Sequence, residues 1–327
     1  MSTNIKFIEK IQDQDINLDH DLNDQGSFKN DPFGQRMKYY EDICPKNVPA
    51  TEPFIARLDG HCFSKFTKGL KKPFDNNFVL AMVLTMNDLI KTYNARTGYC
   101  HSDEITLIFD RALKPEDTIR DKVHIFNGRT TKINTLLAGY CSARFNYHFI
   151  SLVNQDKDSY NEHVIEKINN MSAHFDSRIL VFYDEENEET KSKDWEIINH
   201  MIWRSCRDCI RNCISTYGRH ICGHRQIHKK NSTEIIQLMS EKGFDWEIVP
   251  FYLKHGVYAK NEIYEKEIED PINKSITKCT RSRVINKCFK ITNSEQVLKL
   301  LLDKYWNNDI DYYKDIEDKL KIQEFNL

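Results

Sequence analysis

Apolar positions along the chain follow two periods, and the switches between them mark out the elements. "PFIARLDG" (53–60) is an apolar run ending in Asp-Gly, the pattern of a strand entering a turn. In "FVLAMVLTMNDLIKTY" (78–93), Leu80, Val83, Met86, Ile90 and Tyr93 fall on one helical stripe. "GYCHSDEITLIFD" (98–110) reads as a hairpin with Ser102 and Asp103 near its tight turn. "TTKINTLLAGYCSARF" (130–145) puts Ile133, Leu136, Leu137, Tyr140 and Cys141 on one helix face, and "RILVFY" (178–183) is a short apolar strand. The order β-α-β-β-α-β predicts an α+β, ferredoxin-like unit: an antiparallel sheet with its helices on one face.

More helices are expected beyond this unit. One runs over 194–217, from Asp194 as cap to Gly218 as stop. A second, 231–243, shows a capping box in Asn231 and Glu234 and a terminal Gly243. "SEQVLKLLLDKYW" (294–306) is a third. Residues 1–30, with "QDQDINLDHDLND", read as an acidic, flexible tail; 31–190 as the main domain; and 191–327 as a helical region packed on it.

Composition narrows the function classes. With 40% apolar and 29% charged residues, the chain reads as soluble and globular. A formal net charge of −2 argues against broad phosphate neutralisation, so any nucleic-acid contact must rest on local patches. The run "FVLAMVL" is too short to span a membrane, and the N-terminus lacks a signal or transit pattern. A cytoplasmic setting is expected, with the ten cysteines as reduced thiols.

The predicted topology carries a chemical consequence. Its first and third strands are antiparallel neighbours. Asp59 ends the first and Asp103 sits where the third begins, so their carboxylates are expected together at one sheet edge. Like charges at such range require a cation. Hard oxygen ligands suit Mg²⁺. Two such ions, about 3.5–4 Å apart, activate an attacking hydroxyl and steady a leaving oxygen in phosphoryl transfer. Gly60 lets the chain turn so that its carbonyl can also reach a metal. Glu104 points away from Asp103 by strand alternation, and is expected to pair a basic residue or order a metal-bound water. Asp-Gly and Ser-Asp are also ordinary turn residues; their predicted adjacency is what favours a site.

Other candidates leave alternatives open. Arg57 shares the face of Asp59 and either binds phosphate or forms an ion pair. Lys71 and Lys72 reach triphosphate oxygens or make a solvated pair, and Lys132 faces phosphate or water. Cys206, Cys209 and Cys213 have helical spacing and read as a buried apolar stripe. Zinc binding with His220, Cys222, His224 and His228 is the lesser reading, because the paired knuckle spacing is missing. Arg204, Arg207 and Arg211 are expected to meet RNA backbone or triphosphate.

"RLDGHCFSKFTKGLKKPFD" (57–75) and "HSDEITLIF" (101–109), with "FDSRILVFY" (175–183), "DCIRN" (208–212) and "TRSR" (280–283), resemble the motifs of the tRNA(His) guanylyltransferase superfamily. Arg211-Asn212 is similar to the guanylyltransferase-like branch, the template-dependent 3′-to-5′ polymerases, rather than to the His-Ile-Asn-Asn of the eukaryotic enzyme proper. The resemblance implies a polymerase palm with two Mg²⁺ ions on Asp59, the Gly60 carbonyl and Asp103, with Glu104 beside them. It implies nucleotide contacts from Asp59, Gly60, His61, Cys62, Phe63, Ser64, Ser102 and Asp103, and Arg57, Lys72, Arg211 and Asn212 are expected to join them. It further implies ATP and GTP as substrates, tRNA as partner, and a tetramer built from dimers. The implied chemistry activates the tRNA 5′ end with ATP, after which the 3′-hydroxyl of an incoming nucleotide attacks it. Two basic patches, 223–231 and 278–287, are expected to contact RNA. The chain departs from the family at His101, where Gln is frequent, and at His61, where a permanent cation is frequent. Competing readings are non-templated tRNA(His) guanylylation, another palm-fold enzyme such as a nucleotide cyclase, and a non-catalytic tRNA-binding relative. No Gly-Gly-Asp/Glu-Glu-Phe turn supports the cyclase.

Overall fold

Strand residues alternate between two cores, one on each face of a single sheet. The computed structural model describes residues 32–42, 46–182, 194–269, 274–307 and 321–325. The acidic segment expected over 1–30 lies outside them. Strand β1 (Phe54–Gly60) sends Phe54, Ala56 and Leu58 into one core and Ile55 into the other. Strands β2 (Thr97–His101) and β3 (Glu104–Phe109) form the expected hairpin, with Ser102 and Asp103 as its turn. Ser102 takes the left-handed conformation (φ 50°) that this tight turn demands. β4 (Phe175–Val181) pairs antiparallel with the far side of β1.

The first core packs under helices α1 (Asn76–Tyr93) and α2 (Thr130–Gln155). In α2 the buried residues Ile133, Leu137, Cys141, Phe145, Phe149 and Val153 recur every four positions, a stripe narrower and longer than the sequence suggested. Leu136, assigned to that stripe, is 39% exposed.

The second core lies on the opposite face. There the helix preceding β1, Pro32–Asp42, meets a long helical segment made of α3 (Trp195–Ile202), a buried π-turn (Trp203–Asp208) and α4 (Cys209–Ile221). Both expected ends of that segment need correction. The Asp194 side chain does not cap the helix but pairs with Arg111 at 2.5 Å. Gly218 does not stop it, since the helix runs on to Ile221. A Cβ at Gly218 would come within 2.4 Å of Ile235 Cγ2, so glycine there permits close packing. Ile235 belongs to α5 (Ser232–Glu241), whose Asn231–Glu234 capping box is fully formed. The region expected to be helical also holds two long strands, β5 (Val257–Glu269) and β6 (Ile276–Cys288). They extend the sheet beyond β2, giving the order β4-β1-β3-β2-β5-β6-β7, with β7 at Gln323–Glu324. The last expected helix, α6 (Glu295–Leu302), stops short of 306.

Candidate active site

Register places the acids. Asp59 lies opposite Glu104 on one side and opposite Asp176 of β4 on the other. Cross-strand partners share a face, so all three carboxylates project on the second face of the sheet. Asp103 stands at the same end, in the turn. Its backbone carbonyl accepts a hydrogen bond from the Gly60 N–H at 3.0 Å, tying the turn to the end of β1. Ser102 Oγ donates to Asp103 Oδ1 at 3.0 Å. Burial pushes the Asp103 pKa above the usual aspartate value; the charge of Asp59 pushes the same way, while the Ser102 bond and Arg57 oppose it.

Behind this edge lies a chain of buried ion pairs. Arg57 Nη2 donates to Asp59 Oδ2 at 2.9 Å and to Glu104 Oε1 at 2.7 Å, and its Nη1 donates to Glu41 Oε2 at 2.9 Å. Arg204, in the π-turn, contacts Glu104 Oε2 and reaches Asp208 Oδ2 at 3.1 Å. Asp208 also binds Arg211. His200 approaches Glu41 Oε1 at 3.5 Å. Burial alone would raise the Glu41 pKa, but His200, Arg57 and Arg204 outweigh it and hold it at about 2. Burial likewise disfavours the charge on Asp208, and Arg204, His101 and Arg211 pull its pKa below the aspartate range.

A cavity of about 660 Å³ opens beside the turn. Ser64, Lys72, Ser102, Asp103, Asn212 and Arg219 are among its polar lining, and Phe78, Met82 and Val83 among its apolar lining. The loop over 66–75 that forms one wall is held from outside. Lys167 Nζ donates to the carbonyl of Lys68 at 2.7 Å, and Tyr160 Oη donates to Asp75 Oδ1 at 2.9 Å. Asp75 also caps α1 through the Phe78 N–H at 3.1 Å.

A family model described as tRNAHis guanylyltransferase matches residues 34–183. An uncharacterized protein of Acanthamoeba polyphaga mimivirus is 38% identical over 288 residues, covering 86% of this chain and 92% of that protein. A solved bacterial tRNA(His) guanylyltransferase-like protein in complex with ATP is 27% identical, with a TM-score of 0.52, over 70% of this chain and 86% of its own. The chain belongs to the tRNA(His) guanylyltransferase superfamily. It is a tRNA guanylyltransferase-type nucleotidyltransferase on a palm fold.

The residues that the superfamily motifs single out do not all meet. Phe63, Ser64, Lys72, Ser102, Asp103 and Asn212 line the cavity. Arg57, Asp59, Gly60, His61, Cys62 and Arg211 are not part of that lining. Of the two alternatives for Arg57, the structure shows the ion pair. His61 and Cys62 are exposed, with Cys62 Sγ 3.2 Å from His61 Nε2. Gly60 is needed because a Cβ there would lie 2.5 Å from the Phe63 ring. Of the three arginines expected to meet RNA backbone or triphosphate, Arg204 is turned inward. Arg204 is 3% exposed and neutralises acids, Arg211 pairs with Asp208, and Arg207 lies over the Phe33 ring at 4.7 Å. Lys71 pairs with Asp156 at 3.1 Å, and Lys132 lies 5.2 Å from the Phe126 ring centroid. Cys206, Cys209 and Cys213 are buried, as apolar spacing suggested.

Two acidic groups compare as cation sites. His101, Glu104 and Asp208 bring ligand atoms within 4.8 Å of one another. Arg204 contacts both acids there, and Arg57 and Arg211 add further guanidinium partners, so a dication would meet charge already balanced. Asp59 and Asp103 are hard oxygen donors at a partly open edge, and Asp103 is short of counter-charge. That edge fits Mg²⁺, with Asp59, Asp103 and the Gly60 carbonyl as the candidate donors. Among the described residues no helix is long and apolar enough to cross a membrane.

Proposed function

We propose that this protein adds nucleotides to the 5′ end of tRNA in the 3′-to-5′ direction, choosing each by pairing with the opposite strand, and so repairs or edits truncated tRNA 5′ ends. The observation that carries this reading is the apposition of the Asp59-Gly60 and Ser102-Asp103 ends, whose acids call for a cation, beside a nucleotide-sized cavity. A 5′-monophosphate oxygen first attacks the α-phosphorus of ATP and expels pyrophosphate. The 3′-hydroxyl of the incoming nucleotide then attacks the activated 5′ phosphorus and expels AMP. Two Mg²⁺ ions, when bound, polarise the phosphate oxygens and neutralise the acids.

The protein's own groups do the rest. Asp59 and Asp103 fix the reacting end on the rigid β1–β3 pair. Lys72 and Ser64 meet polar parts of the nucleotide, while the apolar wall excludes water from its base. Arg219 and His220 line the cavity and adjoin the basic segment 223–231, a path for the tRNA backbone. The bacterial relative solved with ATP supports a nucleoside triphosphate as substrate. Arg211-Asn212 supports the templated branch, with Asn212 at the cavity. Assembly as paired dimers belongs to the same proposal and is read by light scattering.

The test supplies tRNAs lacking their first nucleotide, with the opposite base varied, together with ATP, all four nucleotides and Mg²⁺. Addition that follows the opposite base is expected. Guanosine added whatever the base would assign non-templated tRNA(His) guanylylation instead. No extension, even of triphosphorylated tRNA, would overturn the reading.

A further inference from the structure

The Asp59–Asp103 edge has two sides, and the cavity occupies one of them. Ser102 and Asp103, in the β2–β3 turn, line the cavity, whereas Asp59 and all of β4 stay outside it. The sheet order puts β4 on the far side of β1 from that turn. Asp176 and Arg178 of β4 lie opposite Asp59 and Arg57 in register, so they project on the same face. Their side chains are half open, 49% and 45% exposed, while that of Arg57 is closed off at 9%. Arg57 donates hydrogen bonds of 2.7 to 2.9 Å to Glu41, Asp59 and Glu104. Arg178 makes no hydrogen bond among the described residues. Its Nε stands 3.6 Å from Asp176 Oδ1, and its Nη1 stands 3.9 Å from Glu41 Oε2, the oxygen that Arg57 already holds. Like charges directly opposite on neighbouring strands are unfavourable, and an anion seated at Arg178 relieves that repulsion.

We propose that Arg178 binds the 5′ phosphate of the tRNA. This rests on the 5′-extension chemistry proposed above. That reaction brings a nucleotide and the tRNA 5′ phosphate to one cation edge. The nucleotide takes the cavity side, so the tRNA end approaches from the β1–β4 side. Arg178 is diagonal to Asp59 across those strands, about 7–8 Å away at the backbone, a span that an arginine side chain covers. Its planar fork donates two parallel N–H bonds to the non-bridging oxygens of a phosphate. Arg57 and Arg204 cannot take this part. Both are held by carboxylates, and turning either outward would uncover buried charge.

Binding of the full chain to tRNA with a 5′ monophosphate, and to the same tRNA with a 5′ hydroxyl, tests this in Mg²⁺ at fixed salt and without nucleotide. Wild type is expected to prefer the phosphorylated end by about tenfold or more, the worth of a charge-assisted hydrogen bond. Arg178→Met is expected to cut that preference by about tenfold, by weakening the phosphorylated tRNA alone. Arg178→Lys keeps the charge but not the fork, and is expected to fall between. ATP affinity, read by calorimetry without tRNA, is expected to be unchanged in both variants, because the cavity lies on the other side of the edge. If the methionine variant melts early, the lysine variant reads the same ratio. An undiminished preference in Arg178→Met, equal weakening of both tRNAs, no preference in wild type, or a loss of ATP affinity would each overturn the assignment. Because no nucleotide is added to the tRNA, such a result leaves the 5′-extension reading standing, and failed extension is scored separately.

Discussion

Asp103 and Glu104 are adjacent in sequence and opposite in circumstance. Glu104 lies on the strand face and is gripped by two guanidiniums, one from β1 and one from the π-turn. Asp103 lies in the turn, where burial and Asp59 make its charge unwelcome. The first belongs to a closed account of charges; the second is open on the cation side. One residue step across a hairpin turn therefore separates a group bound into the scaffold from a group whose charge the protein leaves short of compensation. Function concentrates where charge is left uncompensated, and the neighbouring compensated chain keeps that imbalance rigid.

The largest effect should come from breaking the open side. Asp59→Asn and Asp103→Asn are each expected to lower 5′-extension turnover on the order of a thousandfold or more, since each removes cation-dependent stabilisation of several kcal/mol. Thermal melting should change little for Asp103→Asn, because the lost charge is one the fold disfavours. Full activity in either variant would remove the metal assignment.

Breaking the closed side should show the reverse balance. Arg204→Met leaves Glu104 and Asp208 without their shared guanidinium, and is expected to cost about 3–5 kcal/mol in urea unfolding, the penalty for uncovering buried charge. A loss below about 1 kcal/mol would show that the pairs are loosely held.

The smallest effect, in pH, sharpens the contrast by its sign. The Glu41 pKa is depressed to about 2, so its contribution is full above the ordinary glutamate value and is lost as pH falls toward 2. Glu41→Gln should flatten the decline of the unfolding free energy between pH 4.5 and pH 3 by roughly 2 kcal/mol. The Asp103 pKa is raised, so in metal-free protein its protonation on acidification works in the opposite direction, toward stability. An unchanged pH slope in Glu41→Gln would show that the ion-pair chain does not carry acid sensitivity.

The sequence made the palm unit and the Asp59–Asp103 apposition legible because both follow from local periods and one topological rule. The Asn231–Glu234 box was equally readable, as a fixed spacing. The buried ion chain was not. Glu41, Arg57, Glu104 and Arg204 are far apart in sequence, and nothing local says that Arg204 turns inward. The one available clue was the i, i+4 spacing of Arg204 and Asp208. Strands β5 and β6 were hidden by their Lys- and Glu-rich composition. In β5 the period-two pattern survives only in Val257, Ala259 and Ile263, because the outer half of the ribbon is exposed on both strands. Asp176 fell within a matched motif, but its place opposite Asp59 appears only in the register.

The π-turn at Trp203–Asp208 has a consequence for inheritance. A π-turn behaves as one residue added to an α-helix, so its removal rotates everything downstream by about 100°. Loss of a single codon within it would keep the reading frame and the Asp59–Asp103 edge. A loss after Arg204 would nevertheless swing Asp208, Asn212 and Arg219 away while Arg204 kept its contact with Glu104. Such a deletion would leave Asp59, Asp103 and Glu104 in place but carry α4 out of its packing against Ile235, so the cavity wall and the core beneath it fail together.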